Sequence, residues 1–279
     1  MRVTIIGTGL IGGSLGLVLK ERRLSRHIIG ADANEAHAAQ ALQLGLVDEV
    51  MHWEDALEQS DLIVLAVPVD VAEILLLAIL KKVKKQVVMD MGSTKQSICH
   101  IAQGHSSAGR FVGTHPMWGT EFSGPGAAVK NAFAGKAVVI CDREHCDTDA
   151  LLLVEDLYRK MDMRLLYMNA AAHDVHAAYV SHISHITSFA LANTVLEKEK
   201  EDDAIFELAS AGFESTVRLA KSNPEMWVPI FKQNKENVLD VLNEHISQLR
   251  KFKASLEKEN FEYLGALIQH ANTIKRILK

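Results

Sequence analysis

A histidine that precedes a proline is the best candidate for acid–base chemistry in this chain of 279 residues. His115 lies in the segment from Gly113 to Glu121, which we predict to be a loop because its composition is too irregular for a helix or a strand. An imidazole is suited to accepting a proton near neutral pH. Pro116 and Glu121 are typical of a polar cleft lining, and a loop histidine without a function is the alternative.

The N-terminal segment carries glycines at the spacing of a dinucleotide-binding turn. Residues 3–6 predict a strand, Gly7, Gly9 and Gly12 follow it, and a helical stretch comes next. Asp32 ends a second apolar strand twenty residues after Gly12. This combination of strand, glycines, helix and acid indicates a dinucleotide site, whereas the glycines alone would fit an ordinary turn.

Each position of this turn has a physical task. Gly7 permits the tight turn, Gly9 lets the backbone approach a pyrophosphate, and Gly12 lets the helix pack on the strand. The backbone N–H groups at the helix start, including those of Leu10 and Ile11, are expected to face the phosphates.

Asp32 indicates which dinucleotide to expect. Its carboxylate can accept hydrogen bonds from the adenosine ribose, and it would repel a 2′-phosphate. Ala33 and Asn34 supply no arginine that could hold such a phosphate. The sequence therefore predicts NAD rather than NADP, and a solvent-exposed turn aspartate is the alternative.

Two further polar residues suit a substrate or cofactor pocket. Ser93 belongs to a segment, residues 90–95, that follows a predicted strand and opens a predicted helix. It either lies near the nicotinamide end of the crevice or, like Thr94, caps that helix. Arg218 could clamp a carboxylate through two hydrogen bonds, and a surface arginine is the alternative.

His182 and His185 are three residues apart and share a face of a predicted helix. Histidines so placed can bind a metal ion, but the neighbouring residues are typical of a core and no carboxylate lies at ligand spacing beside the pair. We therefore expect no metal site, and instead either a polar pocket floor or core histidines with satisfied hydrogen bonds.

The elements that must position these residues change in character near residue 168. Apolar runs before it predict strands, and they alternate with amphipathic helical stretches. This pattern predicts a parallel sheet covered on both faces in residues 1–168. The predicted strands are 3–6, 28–31, 62–67, 86–89, 111–113, 137–141 and 164–168.

Residues 169–279 are rich in Ala, Leu, Glu and Lys at helical spacing. Asn223-Pro224 predicts the start of a long helix over about 225–248, and a second one is expected over about 257–277. Helices of this length need a partner surface for their apolar stripes. We therefore predict an all-α dimerisation domain and a homodimer.

Composition excludes several classes of protein. The net charge is −5, and the dense basic run Lys81 to Lys85 fits a solvated helix end better than a nucleic-acid surface. No apolar run is long enough for a membrane span. The three cysteines, Cys99, Cys141 and Cys146, suggest no disulfide framework, which favours a reducing, cytoplasmic location.

Taken together, these segments resemble the prephenate/arogenate dehydrogenase family of tyrosine biosynthesis, in its monofunctional form. The likeness extends over nearly the whole chain and also includes residues 234–237. It implies a Rossmann-type domain, an all-helical dimerisation domain, and NAD-dependent oxidative decarboxylation of prephenate to 4-hydroxyphenylpyruvate. Arogenate, which carries an amine on its side chain, is the alternative substrate.

The resemblance also implies a function for each candidate residue. His115 resembles the acceptor of the hydrogen bond from the substrate ring hydroxyl, and Ser93 the residue that supports both that histidine and the nicotinamide. Arg218 resembles the substrate carboxylate clamp. His182 and His185 resemble substrate-pocket histidines, and Glu121 resembles an acid at the pocket mouth.

Departures from the family pattern leave the side-chain preference open. Trp118 stands where members commonly have alanine, Ser184 where they have proline, and Glu214-Ser215 where they have a basic–acidic pair. Glu214 could pair with the amine of arogenate. Two further alternatives are a β-hydroxyacid dehydrogenase, which usually relies on a helical-domain lysine, and a non-catalytic NAD-sensing module, which would not need the polar residues.

Overall fold

The computed structural model describes residues 1–199 and 207–277. An eight-stranded sheet forms its centre. The strands are β1 Arg2–Ile6, β2 His27–Ala31, β3 Glu49–Val50, β4 Leu62–Leu65, β5 Val87–Asp90, β6 Phe111–Pro116, β7 Ala137–Cys141 and β8 Arg164–Met168. The helices among them are α1 Leu10–Glu21, α2 Glu35–Gln43, α3 Trp53–Leu57, α4 Val69–Leu80, α5 Gln96–Gln103 and α6 Thr148–Lys160.

The strand order is β3-β2-β1-β4-β5-β6-β7-β8, and every neighbouring pair is parallel except β6 and β7. The order reverses between β1 and β4, and a crevice for ligands opens at such a point in α/β sheets. The β6–β7 connection contains only a short 3₁₀ turn, Pro125–Ala127, rather than a crossover helix. The chain therefore returns antiparallel, which the expectation of a purely parallel sheet did not include.

The sheet corrects two further expectations about local structure. The segment around His115 was predicted to be a loop, but β6 extends through Thr114 and His115 to Pro116. Pairing with β7 stabilises this stretch, since His115 lies opposite Val139 in the register. Proline is tolerated there because it ends the strand. The strand predicted over 62–67 ends at Leu65, and the short β3 was not predicted.

Helices follow the sheet. They are α7 Ala170–Ala177, α8 Ile183–Glu199, α9 Ala211–Val217, α10 Pro224–Gln233, α11 Lys235–Glu257 and α12 Phe261–Asn272. A π-helical turn, Ala178–His182, joins α7 to α8. The predicted helix start is confirmed, because Pro224 is the first residue of α10 and the Asn223 side chain accepts a hydrogen bond from the Glu225 N–H.

The predicted long helix over 225–248 is instead two helices, because α10 ends at Gln233. Asn234 leaves helical geometry there (φ −102°, ψ 26°). The second predicted helix is shorter than expected, as α12 ends at Asn272.

By internal contacts the chain forms two compact units, Met1–Asn234 and Lys235–Lys279. Helices α7 to α10 thus belong to the same unit as the sheet. Within residues 1–199 and 207–277, no helix is long and apolar enough to cross a bilayer. The functional division at residue 168 stays a prediction.

Candidate active site

The turn after β1 has the close packing that requires glycine at two positions. Gly7 has a φ of +95°, and a Cβ there would lie 2.4 Å from the carbonyl oxygen of Ala66. A Cβ on Gly12 would lie 1.9 Å from the carbonyl oxygen of Gly7 and 2.8 Å from a methyl group of Ile5. A side chain at Gly12 would push α1 away from β1, and one at Gly7 would collide with the segment that follows β4.

The start of α1 is open toward a ligand. Gly9 precedes the helix without a side-chain cap, and a Cβ added to it would approach only Gly124, at 3.9 Å. The first N–H groups of a helix have no acceptor within it. Those of Leu10, Ile11 and Gly12 therefore form a small surface that suits a pyrophosphate.

Asp32 follows β2 and is held against the same turn. One carboxylate oxygen accepts hydrogen bonds from the Thr8 N–H at 2.8 Å and the Thr8 hydroxyl at 2.9 Å. The other accepts from the Asn34 N–H at 2.9 Å. These contacts orient the half-buried carboxylate beside the helix start, where the ribose of a dinucleotide would lie.

His115 is buried on β6 and connects to a chain of hydrogen bonds. Its Nδ1 lies 2.8 Å from Nε2 of His173, whose Nδ1 lies 2.7 Å from the Asp174 carboxylate. Burial, followed by the neighbouring His173 and the charge of Lys95, holds the pKa of His115 well below its usual range. The ring is therefore neutral at physiological pH and can accept a proton.

A buried ion pair lies at the end of β5, close to these histidines. Lys95 pairs with Asp90, and both side chains are almost completely inaccessible to solvent. Asp90 also accepts hydrogen bonds from the N–H groups of Thr114 and Gly92, each at 3.0 Å. These bonds satisfy the buried carboxylate and tie the end of β5 to β6, which carries His115.

Ser93 is half-buried at the start of the same segment. Within residues 1–199 and 207–277, no hydrogen bond joins Ser93 to His115, whose Nδ1 is directed to His173 instead. Ser93 and Thr94 do not cap the helix either. Asp174 does so, because its two carboxylate oxygens accept from the N–H groups of Lys95 and Gln96, the residues at the start of α5.

The helical part contributes an aromatic cluster with two buried hydrogen-bond donors. The ring of His185 stacks on Trp227 with centroids 3.5 Å apart, and His182 meets the same indole edge-on at 5.9 Å. Burial lowers the pKa of His182 to about 4. Asn234 donates to Nδ1 of His182 at 3.1 Å, so the neutral ring carries its proton on Nε2.

That Nε2–H and the indole N–H of Trp227 are buried, and neither has a hydrogen-bond partner in the described residues. Buried donors are rarely left unsatisfied. Their position in one cluster suits an acceptor group of a ligand. The described residues contain no group of three or more histidine, cysteine or acidic side chains arranged for a metal ion.

A hydrogen bond joins Arg218 to Glu121, which lies 97 positions earlier in the sequence. The guanidinium donates to the Glu121 carboxylate at 2.7 Å. The Arg218 side chain is 49% exposed, whereas that of Glu121 is 12% exposed. The arginine thus keeps much of its surface for another acidic partner.

The departures from the family pattern lie on several elements. Trp118 packs edge-on against Phe133 with centroids 5.3 Å apart, so it anchors the connection after β6 to the core. Glu214 and Ser184 are exposed. The hydroxyl of Ser215 donates to the Gly212 carbonyl at 2.9 Å within its own helical turn.

Three residues of this region were not assigned a function by sequence reasoning. His173 and Asp174 are adjacent in the sequence, and this position does not indicate contact with His115 or α5. Asn234 links α10 to both His182 and the Asp174 carbonyl, to which it donates at 2.7 Å. The family likeness at residues 234–237 is the signal that could have drawn attention to Asn234.

A dinucleotide turn at a strand-order reversal, with a neutral histidine buried on a nearby strand, defines the class of nicotinamide-dependent dehydrogenases. The comparisons with known proteins narrow this class. The family model described as "Prephenate dehydrogenase, nucleotide-binding domain" matches residues 15–167, and "Prephenate dehydrogenase, dimerization domain" matches residues 169–270. The chain belongs to the prephenate dehydrogenase family and is an NAD-dependent oxidoreductase.

Similar proteins support this assignment over the full length. The chain is 30% identical to the prephenate dehydrogenase of Bacillus subtilis over 266 residues, which cover 94% of this chain and 72% of the relative. It is 31% identical to the cyclohexadienyl dehydrogenase of Zymomonas mobilis over 280 residues, covering 99% and 96%. The chain is also similar to the structure of prephenate dehydrogenase from A. aeolicus in complex with hydroxyphenyl propionate and NAD+. The two superpose with a TM-score of 0.89 at 29% sequence identity, and the match covers 100% of this chain and 98% of the A. aeolicus chain.

The predictions of family, fold class, enzymatic activity and NAD as cofactor are thereby confirmed. A non-catalytic NAD-sensing module is not supported.

Proposed function

We propose that this enzyme oxidises prephenate with loss of CO₂ to give 4-hydroxyphenylpyruvate, and that His115 is the base of the reaction. The observation that carries the proposal is a buried, neutral histidine whose Nδ1 is already engaged. Its Nε2 remains for the substrate ring hydroxyl. When bound, NAD+ supplies the acceptor for the hydride that leaves the ring carbinol carbon.

Proton balance gives His115 two successive tasks. The hydroxyl proton moves to Nε2 as the carbinol is oxidised. The electron pair of the broken ring–carboxylate bond then enters the ring, which becomes aromatic, and the same proton returns to the ring oxygen. No metal is needed as an electron sink, because aromatisation favours the loss of CO₂. A positioned base of this kind contributes about 10²–10⁴-fold to the rate.

Other residues are proposed to hold the substrate and cofactor. Gly7, Gly9, Leu10, Ile11 and Gly12 would bind the pyrophosphate, as their open helix start suggests. Asp32 would hold the adenosine ribose, and Ser93 would lie beside the nicotinamide and the ring hydroxyl.

The acidic groups of the substrate need partners on the helical side. Arg218 would bind a carboxylate, with Glu121 keeping the guanidinium in place until the substrate arrives. His182 and His185 would form the pocket wall, where the unsatisfied Nε2–H of His182 suits an anionic acceptor.

We also propose that residues 1–168 bind NAD and that residues 169–279 bind substrate and form a homodimer in the cytoplasm. The description of the second matching family model as a dimerization domain supports the homodimer. The free cysteines, two of them buried, fit a reducing compartment.

Arogenate is the second candidate substrate, favoured by a single feature. Glu214 is exposed one helical turn before Arg218, where a carboxylate could pair with the amine of the arogenate side chain. If prephenate is the substrate, the Glu214 carboxylate would instead lie beside an anionic side chain. The substrate preference therefore depends on whether Glu214 faces the bound side chain.

A spectrophotometric assay with NAD tests both candidates. We expect formation of reduced nicotinamide with prephenate at a kcat/KM higher than with arogenate, and a fall of about 10²–10⁴-fold in kcat for His115→Asn.

Glu214→Gln is the informative control, because it should leave prephenate turnover unchanged or improved and should lower arogenate turnover. No turnover with either acid would contradict the proposed function, and a preference for arogenate would select the second candidate.

A further inference from the structure

The hydrogen-bond chain behind His115 carries information about where its proton sits. We infer that His173 and Asp174 are positioning residues that keep the proton of the neutral His115 ring on Nδ1 and so leave the lone pair of Nε2 toward the substrate. The inference deepens the function proposed above, and its kinetic test rests on that function.

The argument begins at Asp174, which acts only as an acceptor. Its Oδ1 accepts from the Lys95 N–H at 2.7 Å, and its Oδ2 accepts from the Gln96 N–H at 2.9 Å. Backbone N–H groups cannot accept, and a carboxylate cannot donate. The third contact, between Oδ1 and Nδ1 of His173 at 2.7 Å, must therefore have its hydrogen on the His173 ring.

When the His173 ring is neutral, it has one N–H and one lone pair. With the hydrogen of His173 on Nδ1, its Nε2 is an acceptor. This Nε2 lies 2.8 Å from Nδ1 of His115, so the hydrogen between them belongs to His115. The lone pair of His115 is then on Nε2, the form that can accept a proton there.

Burial makes this assignment strict. His173 and Asp174 are each only 2% exposed, so water does not compete for their hydrogen bonds. Asn234 also donates to the Asp174 carbonyl at 2.7 Å, which holds this part of α7 in place. A free neutral histidine favours the hydrogen on Nε2, where it would block proton acceptance. The pair thus selects the less favoured ring form.

The direct test is nitrogen NMR of the complete, cofactor-free protein labelled with ¹⁵N-histidine, at a pH where the rings of both His115 and His173 are neutral. Long-range ¹H–¹⁵N correlations distinguish a protonated ring nitrogen from one with a lone pair. Comparison with His115→Asn identifies the His115 signals among the 13 histidines. We expect Nδ1 protonated in the wild type and in His173→Gln, whose amide oxygen can accept in place of Nε2, and a shift of the proton to Nε2 in His173→Phe.

The matched control is His176→Phe, which replaces an exposed histidine on the same helix and should leave the His115 signals unchanged. Protonated Nε2 in the wild type, or an unchanged His115 tautomer in His173→Phe, would overturn the inference. Both readouts are independent of the substrate, so they remain decisive even if neither prephenate nor arogenate is turned over.

The kinetic test separates positioning from folding. His173→Phe should lower kcat by about 10–100-fold, the usual effect of removing a residue that orients a catalytic group. KM for substrate and the Kd for NAD should stay within about twofold, because the turn and the carboxylate clamp are untouched. His173→Gln should recover part of the lost kcat. Equal kcat values for His173→Phe and His176→Phe would refute the positioning role.

Discussion

The burial of His115 determines the direction in which pH affects the enzyme. Burial disfavours the imidazolium, so the pKa of this group lies below its ordinary value of 6.5. Only the neutral ring can accept the substrate proton, and acid converts it to the inactive form. We expect kcat/KM to be independent of pH just above 6.5 and to fall about tenfold per pH unit below the His115 pKa.

A steady-state pH profile of kcat/KM with saturating NAD measures this acidic limb. His115→Asn should abolish the limb together with most of the rate. An acidic limb centred above pH 6.5 would contradict the predicted direction of the pKa shift.

Asp32 is expected to control the choice between NAD and NADP. Asp32→Ser removes the charge that repels a 2′-phosphate and the acceptor for the ribose hydroxyls. Because a charge-assisted hydrogen bond contributes about 1.5–3 kcal/mol, the ratio of kcat/KM for NAD to that for NADP should fall by at least about tenfold. Glu35→Ser, which removes an exposed acid at the start of α2, is the matched control. An unchanged ratio in Asp32→Ser would mean that this carboxylate does not contact the ribose.

The sequence indicates some of these residues better than others. The tight packing at Gly7 and Gly12 and the position of Asp32 beside their turn were predictable because they depend on local spacing along the chain. The connection of His115 to His173 and Asp174 was not, since these contacts span 58 or more positions and depend on how α7 packs against α5. A histidine and an aspartate side by side show no partner until that packing is known.

At the level of elements, the packing of α1 on β1 leaves no room for a side chain at Gly12. Gly12→Ala would place a Cβ 1.9 Å from the Gly7 carbonyl oxygen, so the helix start must move away from its position. A displacement near 1 Å can cost about 10²-fold in function, and we expect the Kd for NAD to rise by a factor of that order. Calorimetric titration of the purified variant with NAD measures this Kd.

Gly104→Ala is the control for this substitution, because the added Cβ would lie at an ordinary 3.6 Å from the Ile101 carbonyl oxygen and the backbone there is already right-handed. We expect its NAD affinity to match the wild type. An unaltered Kd in Gly12→Ala would show that the close packing of α1 on β1 is not required for cofactor binding.

Element boundaries were predictable only where local signals were strong. Asn223-Pro224 begins α10 as expected, because both cap and proline act within one turn. The strand predicted over 111–113 was confirmed, but its extension through His115 was missed, since only pairing with β7 makes Thr114 to Pro116 extended. The break at Asn234 was missed for a similar reason: its side chain bonds to α7 and to His182, and neither partner is close in sequence.

At the scale of the whole molecule, the unit Lys235–Lys279 exposes large apolar side chains to solvent in the single chain. Phe261 and Ile268 on α12 are 62% and 49% exposed. Helices with such faces normally pack against a partner, and the matching family model is described as a dimerization domain. We therefore expect light scattering at micromolar concentration to give twice the chain mass of 30.8 kDa.

Charged substitutions on α12 should test whether this face forms the dimer. Burying a large apolar side chain contributes about 1.5–3 kcal/mol, so the double variant Phe261→Asp/Ile268→Asp should weaken association enough to shift the measured mass toward one chain. Leu152→Asp, on the exposed side of α6, provides the comparison and should remain dimeric. If the double variant keeps the wild-type mass, the exposed face of α12 is not the contact surface. If the wild type itself has the mass of one chain, the homodimer proposal fails, while the site built on β6, α5 and α7 is unaffected because those residues belong to one compact unit.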